Sequence, residues 1–273
     1  MLYTILGAQG FIGKALVNRL KEQGCQVLAP SRQELADWPQ NRQGRDLGHV
    51  IYCIGVTADF RIRPLDAVQA HVCILNQVLQ AGGFASLTYL SSARVYAYAD
   101  STREDSDLWV RPDSLDSLYN LSKLMGESAC LQGSSRARVV RLSHVYGFDP
   151  GSRNFLSSVL QEAARTGRVI INTSQDSAKD YVSLQEVAEL LPLIARNGDF
   201  AIYNLASGVN VSNRELAAML QEQGIEVEFA SQAPKWTFPA MDISRLTRKF
   251  HSPRQGLARD LPGLLHKYRR SYE

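Results

Sequence analysis

The 273-residue chain predicts an α/β fold, a doubly wound parallel sheet with a smaller C-terminal lobe. Three observations carry this expectation. The chain opens on an apolar run that feeds a glycine triplet and then an amphipathic helix. Short strand-like runs alternate with helical patterns through the first 145 residues, as parallel strands with crossovers require. Past that point the rhythm loosens, although Ile202-Tyr203-Asn204-Leu205 reads as one more strand returning to the sheet.

Each element follows in order. Leu2-Tyr3-Thr4-Ile5-Leu6 reads as a buried strand, and Ile12, Ala15, Leu16 and Leu20 recur at helical spacing. Gly7, Gly10 and Gly13 stand between them at three-residue spacing. A strand, a tight turn and a helix in that order expose free backbone N–H groups at the positive end of a helix dipole, a phosphate site. The glycines serve the sharp turn, close approach of backbone to a pyrophosphate, and close helix–strand packing. A ligand-free glycine turn has the same composition; the position after the first strand favours the cradle. Gln26 to Ala29 and Val50 to Ile54 read as the next strands, the second bounded by Gly55. The polar stretch between them, about residues 31 to 49 with Trp38-Pro39 and Asn41 to Gly44, has room for only a vestigial element.

Val68, Val72, Leu75 and Leu79 predict a helix closed by Gly82-Gly83, followed by the strand Leu87 to Leu90. A loop rich in Asp and Ser leads to a helix carrying Leu118, Leu121, Met125 and Cys130, then to the strand Val139 to Leu142. Ser183 with Glu186 and Ser212 with Glu215 fit capping boxes, so helices should start near 184 and 213. Ile225 to Phe229 alternates as a small strand outside the sheet. No repeat or low-complexity linker divides the chain, so the C-terminal part is a lobe woven onto the main domain.

Composition sets bounds. At 45% hydrophobic and 21% charged, the chain is an ordinary globular protein. A net charge of +3 is too small to call for nucleic acid or an anionic membrane surface. The basic end Lys267-Tyr268-Arg269-Arg270 reads as a solvated helix terminus. No apolar stretch approaches a transmembrane helix, and the first residues lack the basic region and cleavage site of a signal peptide. Cys25, Cys53, Cys73 and Cys130 are scattered, which points to reduced thiols in a cytoplasmic protein. The five histidines form no metal-type pair, so no metal is expected.

Tyr119 and Lys123 stand four residues apart on one helix face, about 6 Å along the axis at ~1.5 Å per residue. A nearby cation favours tyrosinate, so the phenol pKa should fall from about 10 and ready Tyr119 for proton exchange with a hydroxyl or carbonyl. Such pairs are also common on plain helix surfaces. Ser91-Ser92 tips the balance: it follows the strand Leu87 to Leu90, at the sheet edge where ligands bind in open α/β folds.

These residues resemble the extended short-chain dehydrogenase/reductases, in the NAD-dependent epimerase/dehydratase group acting on nucleotide sugars. The matching stretches are Gly7-x-x-Gly10-x-x-Gly13, Ser91-Ser92-Ala93-Arg94-Val95-Tyr96, Tyr119-x-x-x-Lys123, Arg141-Leu142-Ser143-His144-Val145-Tyr146-Gly147, Asn154-Phe155-Leu156, Lys179-Asp180-Tyr181-Val182 and Met241-Asp242-Ile243-Ser244. They occur in family order across almost the whole chain. The resemblance implies a Rossmann-type NAD(P)-binding domain over residues 1–148, with 180–206 returning to it, and a substrate lobe over 149–273. It implies catalysis by Ser92, Tyr119 and Lys123. It places the cofactor against Gly7, Gln9, Gly10, Phe11, Ile12, Gly13, Cys53, Ile54, Gly55, Tyr119, Lys123 and His144. A homodimer through helices near 66–81 and 117–131 is also implied.

Departures from the family pattern narrow the chemistry. Ala93 and Arg94 stand where the 4,6-dehydratases of the family carry Asp and Glu. The bifunctional epimerase-reductases have a cysteine at the Arg94 position and a histidine in the segment that here reads Asn154-Phe155-Leu156-Ser157-Ser158. Arginine stays protonated and cannot abstract a proton from carbon, so elimination and 3,5-epimerisation are disfavoured. His144 and His71 stand where the family has asparagine, and both read as packing or supporting substitutions. NAD-preferring relatives end the second strand with a carboxylate; here it runs into Ala29-Pro30-Ser31-Arg32. Ser31 and Arg32 could hold a 2′-phosphate, or be a turn serine and a surface arginine. NADP(H) is the preferred expectation and NAD(H) the alternative. Arg94, Asn154, Lys179 and Lys235 are the expected substrate contacts, with Lys179 where relatives commonly have Arg. The expected reaction is NADPH-dependent reduction of a 4-keto nucleotide sugar. A 4-epimerase with tightly bound NAD is the alternative, and a non-catalytic dinucleotide-sensing protein the third.

Overall fold

The computed structural model describes residues 1–36, 46–56, 58–113, 116–236, 238–254 and 256–273. Trp38-Pro39 and Asn41 to Gly44 lie outside the described residues. In chain order the first half is β1 (Leu2–Leu6), α1 (Phe11–Glu22), β2 (Gln26–Leu28), α2 (Arg32–Ala36), β3 (His49–Tyr52), α3 (Pro64–Val68), α4 (Ile74–Ala81), β4 (Ser86–Ser92), α5 (Ser117–Gly133) and β5 (Ala137–Leu142). The second half is β6 (His144–Tyr146), α6 (Phe155–Thr166), β7 (Arg168–Ile171), β8 (Ala178–Ser183), α7 (Leu184–Asn197), β9 (Ile202–Leu205), β10 (Asn210–Ser212), α8 (Asn213–Gln221), β11 (Glu226–Phe229), α9 (Ser244–Lys249) and α10 (Leu257–Arg270).

Six strands form one parallel sheet in the order β2-β1-β3-β4-β5-β9. Its central strands are buried on both faces, as a parallel sheet covered by helices demands. One face packs Leu16 and Leu20 of α1 against Val187, Leu191 and Ile194 of α7. The other carries Leu75 and Val78 of α4 with Cys130 of α5. The chain leaves β1 for β2 at one edge and then crosses to β3 on the other side of β1. The strand order therefore reverses between β1 and β3, and a crevice opens beyond their C-terminal ends.

The helix expected over Val68 to Leu79 is broken in the middle: a π-helical turn, Gln69–Cys73, separates α3 from α4. On α5 the buried side is polar. Asn120, Ser122, Lys123, Gly126 and Glu127 point inward beside Cys130, while Leu118 and Met125 are exposed. Both expected capping serines, Ser183 and Ser212, cap their helices through the backbone N–H three residues on. The lobe has its own core. Leu156, Leu160 and Ala163 of α6 meet Leu216, Leu220, Leu261 and Leu265. Around it lie a three-stranded sheet, β10-β8-β6, and a parallel pair, β11-β7. Ile225 to Phe229 thus supplies a strand outside the main sheet, as its alternation predicts, and Ile202 to Leu205 joins that sheet beside β5.

Candidate active site

The glycine turn is built by close contact. Gly7 has φ +84°, and a Cβ there would stand 2.9 Å from the Cys53 carbonyl carbon. One on Gly13 would stand 2.3 Å from the Gly7 oxygen, so the turn folds tightly onto the end of β3 and the start of α1. Gly10 is the N-cap of α1 and offers no side chain to its first N–H groups, which stay available to an anion. Phe11 and Ile12 are half-buried at the mouth of this turn and Gln9 is exposed. Cys53, Ile54 and Gly55 continue the crevice floor from β3, the Cys53 thiol pushed up to about 12 by burial. These groups fit a dinucleotide pyrophosphate.

At the end of β2 the structure adds a detail that spacing alone did not suggest. Ser31 and Glu34 cap α2 reciprocally: the Ser31 N–H donates to the Glu34 carboxylate at 2.7 Å, and the Glu34 N–H donates to Ser31 Oγ at 3.3 Å. Ser31 is thus a capping residue, and the guanidinium of Arg32 beside it is exposed.

Ser92 ends β4, and its Oγ accepts from the Arg94 N–H at 3.2 Å in the 3-10 turn Ala93–Tyr96. It faces the Tyr119 phenol closely enough to steady the ionised form. Tyr119 stands in the first turn of α5, half-buried, with the Phe60 ring at 4.7 Å and the His71 ring edge-on at 5.3 Å. Burial raises its pKa above the ordinary value, against the opposing pull of Ser92 and the Arg94 cation. This reverses the expected direction. Lys123 lies 6.0 Å from the Tyr119 ring, but its Nζ is buried and donates to the Leu90 carbonyl at 2.8 Å. Burial lowers its pKa to about 7, with the nearby Glu127 and Cys53 pulling the other way. The cation that opposes the effect of burial on the Tyr119 pKa is Arg94, 5.9 Å from the ring.

Arg94 is held by an ion pair to Asp116 and lies 5.2 Å from the Phe60 ring. Asp116 also binds Arg61, at 2.8 Å from Nε. Burial raises the Asp116 pKa, and the two guanidiniums outweigh it and leave the carboxyl below its ordinary range. A carboxylate held in that way is a poor proton carrier. Beneath Tyr119 a second, buried pair joins Glu127 of α5 to Arg141 of β5 at 2.7 Å, with Ser91 donating to the same carboxylate. Tyr96 accepts from Arg141 at 2.7 Å and meets Asn204 of β9.

Toward the lobe, His144 touches the rings of Tyr181 and Phe238, both at 5.8 Å. Burial, then the charges of Lys179 and Arg94, lower its pKa to about 3, so it is neutral. Lys179 lies over the Phe155 ring at 4.1 Å, and burial with Arg94 lowers its pKa to about 8. Asn154 is the N-cap of α6: its Oδ1 accepts from the Ser157 N–H at 2.9 Å, leaving its amide NH₂ for a ligand. Lys235 is exposed, on a segment tied to β8 through the Trp236 carbonyl and the Ala178 N–H.

The structure thus brings Ser92, Tyr119, Lys123 and Arg94 together, with the charges of Lys179 and Arg94 both felt at His144. It ties Lys235 to none of them among the described residues. The sequence pattern does not single out Phe60, Asp116, Glu127 or Arg141 as site-building residues, and in it His71 reads as a packing or supporting substitution. The one signal for Arg141 was its place in a quoted motif; Phe60 and Asp116 gave none. Among the described residues no cluster of three His, Cys, Asp or Glu could hold a metal ion, and no helix is long and apolar enough to cross a membrane.

Comparison with known proteins gives three kinds of match. The model of the NAD dependent epimerase/dehydratase family matches residues 3–206. CDP-abequose synthase of Salmonella typhimurium is 21% identical over 243 residues, covering 80% of each chain. Among solved structures, MoeE5 in complex with UDP-glucose and NAD superposes with a TM-score of 0.82 at 23% identity, over 100% of both chains. RMD from Pseudomonas aeruginosa complexed with NADPH gives 0.84 at 22% identity, over 98% of this chain and 99% of its own.

Proposed function

The chain belongs to the NAD dependent epimerase/dehydratase family, and on that premise we propose that it reduces a 4-keto nucleotide sugar with NADPH. The observation that carries the choice of reaction is the surroundings of Tyr119. The positions after Ser92 hold a buried Ala93 and a permanently charged Arg94, and the carboxylate nearest to Arg94, Asp116, is locked between two guanidiniums. Among the described residues neither of these positions offers a group suited to pull a proton from carbon, which favours hydride transfer with proton delivery to oxygen. A nicotinamide cofactor, when bound in the crevice at Gly7, Gly10 and Gly13, would supply the hydride. Tyr119 gives its proton to the carbonyl oxygen, Ser92 hydrogen-bonds that oxygen, and Lys123 in its protonated form favours the tyrosinate that results. A phenol whose pKa burial has raised is fully protonated at pH 7, the state an acid needs.

Arg94 and Lys179 supply positive charge on the lobe side of Tyr119, which suits a nucleotide diphosphate. The name of the relative CDP-abequose synthase supports a nucleotide-linked sugar. NADPH is favoured by Arg32 and by the lack of a carboxylate at the end of β2 itself. The capping carboxylate of Glu34 favours a second reading, an NAD-holding 4-epimerase. We place the protein in the cytoplasm on its four free thiols, and as a homodimer on the exposed Ile62, Leu65 and Met125 of the neighbouring α3 and α5 region, which sedimentation would check.

The test is consumption of NADPH with 4-keto nucleotide sugars of varied base. Tyr119→Phe is expected to lower turnover by about 10²–10⁴-fold, the size of a lost general acid, with NADPH still bound. An active Phe variant sinks the mechanism. Cofactor that survives purification, with no net oxidation of NADPH, selects the epimerase.

A further inference from the structure

The π-helical turn between α3 and α4 carries His71 into the contact with α5, and such turns recur at functional sites. Its ring is fully buried. Ser122 Oγ has one hydrogen, which it donates to the Tyr119 carbonyl at 2.8 Å. Toward His71 Nδ1, at 2.9 Å, Ser122 is therefore an acceptor, and Nδ1 carries the ring hydrogen. Nε2 is then a bare lone pair, buried and without a partner among the described residues. Burial and the charge of Lys123 hold the ring neutral, with a pKa of about 2.

The lone pair faces a shared spot. A Cβ on Gly55 would stand 3.3 Å from Nε2 and 3.8 Å from Lys123 Nζ, so a residue without a side chain leaves room where acceptor and amine converge. Lys123 uses one N–H on the Leu90 carbonyl, which leaves two. Among the described residues, the other groups around the amine are committed or neutral. Glu127 is taken by Arg141 and Ser91, the Cys53 thiol is pushed up to about 12, and the Tyr119 and Tyr89 phenols are both raised.

We propose that His71 is a positioning residue for Lys123: its Nε2 accepts from the Lys123 ammonium through one water in the gap at Gly55, and holds that charge beside Tyr119 and the cofactor crevice. The inference rests on the reading of Lys123 as part of the proton-transfer group. Its consequence is that Lys123 stays protonated to a higher pH than burial alone allows, because a hydrogen bond to the charged form raises an amine pKa.

The test is ¹⁵N-histidine NMR of the full chain, free and with NADP⁺ or NAD⁺, with His71→Asn identifying its signal. The expected Nε2 is unprotonated, and its shift inflects above pH 7, where Lys123 titrates once a hydrogen bond to its charged form adds to the value of about 7 that burial sets. Lys123→Met should abolish that inflection. A protonated Nε2, or a shift indifferent to Lys123→Met, overturns the proposal. In turnover, His71→Leu should move the alkaline limb of kcat/KM down by about one pH unit, with His71→Gln restoring it. Should the Leu variant not fold, Ser122→Ala, which frees the tautomer, should move the same limb. A uniform loss at all pH, unrestored by Gln, also overturns it. The NMR needs no substrate, so an inactive enzyme with an intact inflection would fail the reductase reading alone.

Discussion

Two carboxylates on α5 bind guanidiniums, and they do so in opposite ways. Glu127 and Arg141 are each 4% exposed and form a closed network with Ser91 and Tyr96. Asp116, at the N-cap of the same helix, is 21% exposed and divides one negative charge between Arg61 and Arg94. The first pair is balanced and fastens α5 to β4 and β5. The second leaves a positive surplus beside Tyr119 and Lys179. The difference separates two tasks: the buried pair fixes the platform on which Tyr119 and Lys123 stand, and the rim cluster supplies a charge that acts on Tyr119 and Lys179.

Breaking the buried pair should therefore be the larger lesion. Arg141→Met leaves Glu127 buried without its cation and should cost about 3–5 kcal/mol in denaturant melts. Replacing both partners with apolar residues should recover most of that. Next in size is acid sensitivity of the buried imidazoles, which can be weighed against either pair. His71 and His144 stay neutral in the fold down to about 2 and 3, whereas unfolded histidine titrates at 6.5. Stability is thus full above pH 6.5 and falls below it by about 1.4 kcal/mol per pH unit for each ring. His71→Asn should remove one ring's share of that slope in melts from pH 6 to 4.

Arg94→Met tests the rim. It should change stability by about 1 kcal/mol or less while lowering kcat/KM about tenfold, because Tyr119 loses the cation that opposes its burial. A loss of stability as large as that of Arg141→Met would break the distinction between the two pairs. Smallest of all is Arg61→Ala. This side chain is 54% exposed, and its removal should shift stability by roughly 0.5 kcal/mol at most, since Arg94 still holds Asp116.

The sheet and the glycine turn were legible because they rest on local pattern. Strand runs, the three glycines and the capping serines each act over a few residues. The α5 face was not. Leu118, Leu121, Met125 and Cys130 suggest an apolar buried stripe, yet Leu118 and Met125 are exposed and Ser122, Lys123 and Glu127 are buried. Those polar groups go inside because each meets a partner from another element: His71 for Ser122, Leu90 for Lys123, Arg141 for Glu127. Periodicity cannot report a partner that lies 51 or 33 residues away in the chain. The direction of the Tyr119 pKa failed for the same reason. Helical spacing places Lys123 nearby but says nothing of how deeply the pair is buried.

The sequence alone determined the order of the strands' appearance, the glycine turn after β1, and the placing of Ser92 at the end of β4 and of Tyr119 and Lys123 one helical turn apart on α5. Those are properties of short segments, set by side-chain size, glycine and periodicity. The tertiary structure decided the electrostatics: Arg94 as the cation on Tyr119, Asp116 locked at the rim, Lys123 near neutrality, and a bare His71 nitrogen beside it. Charge–charge energies and desolvation depend on distance and burial in space, and the folded chain alone sets both.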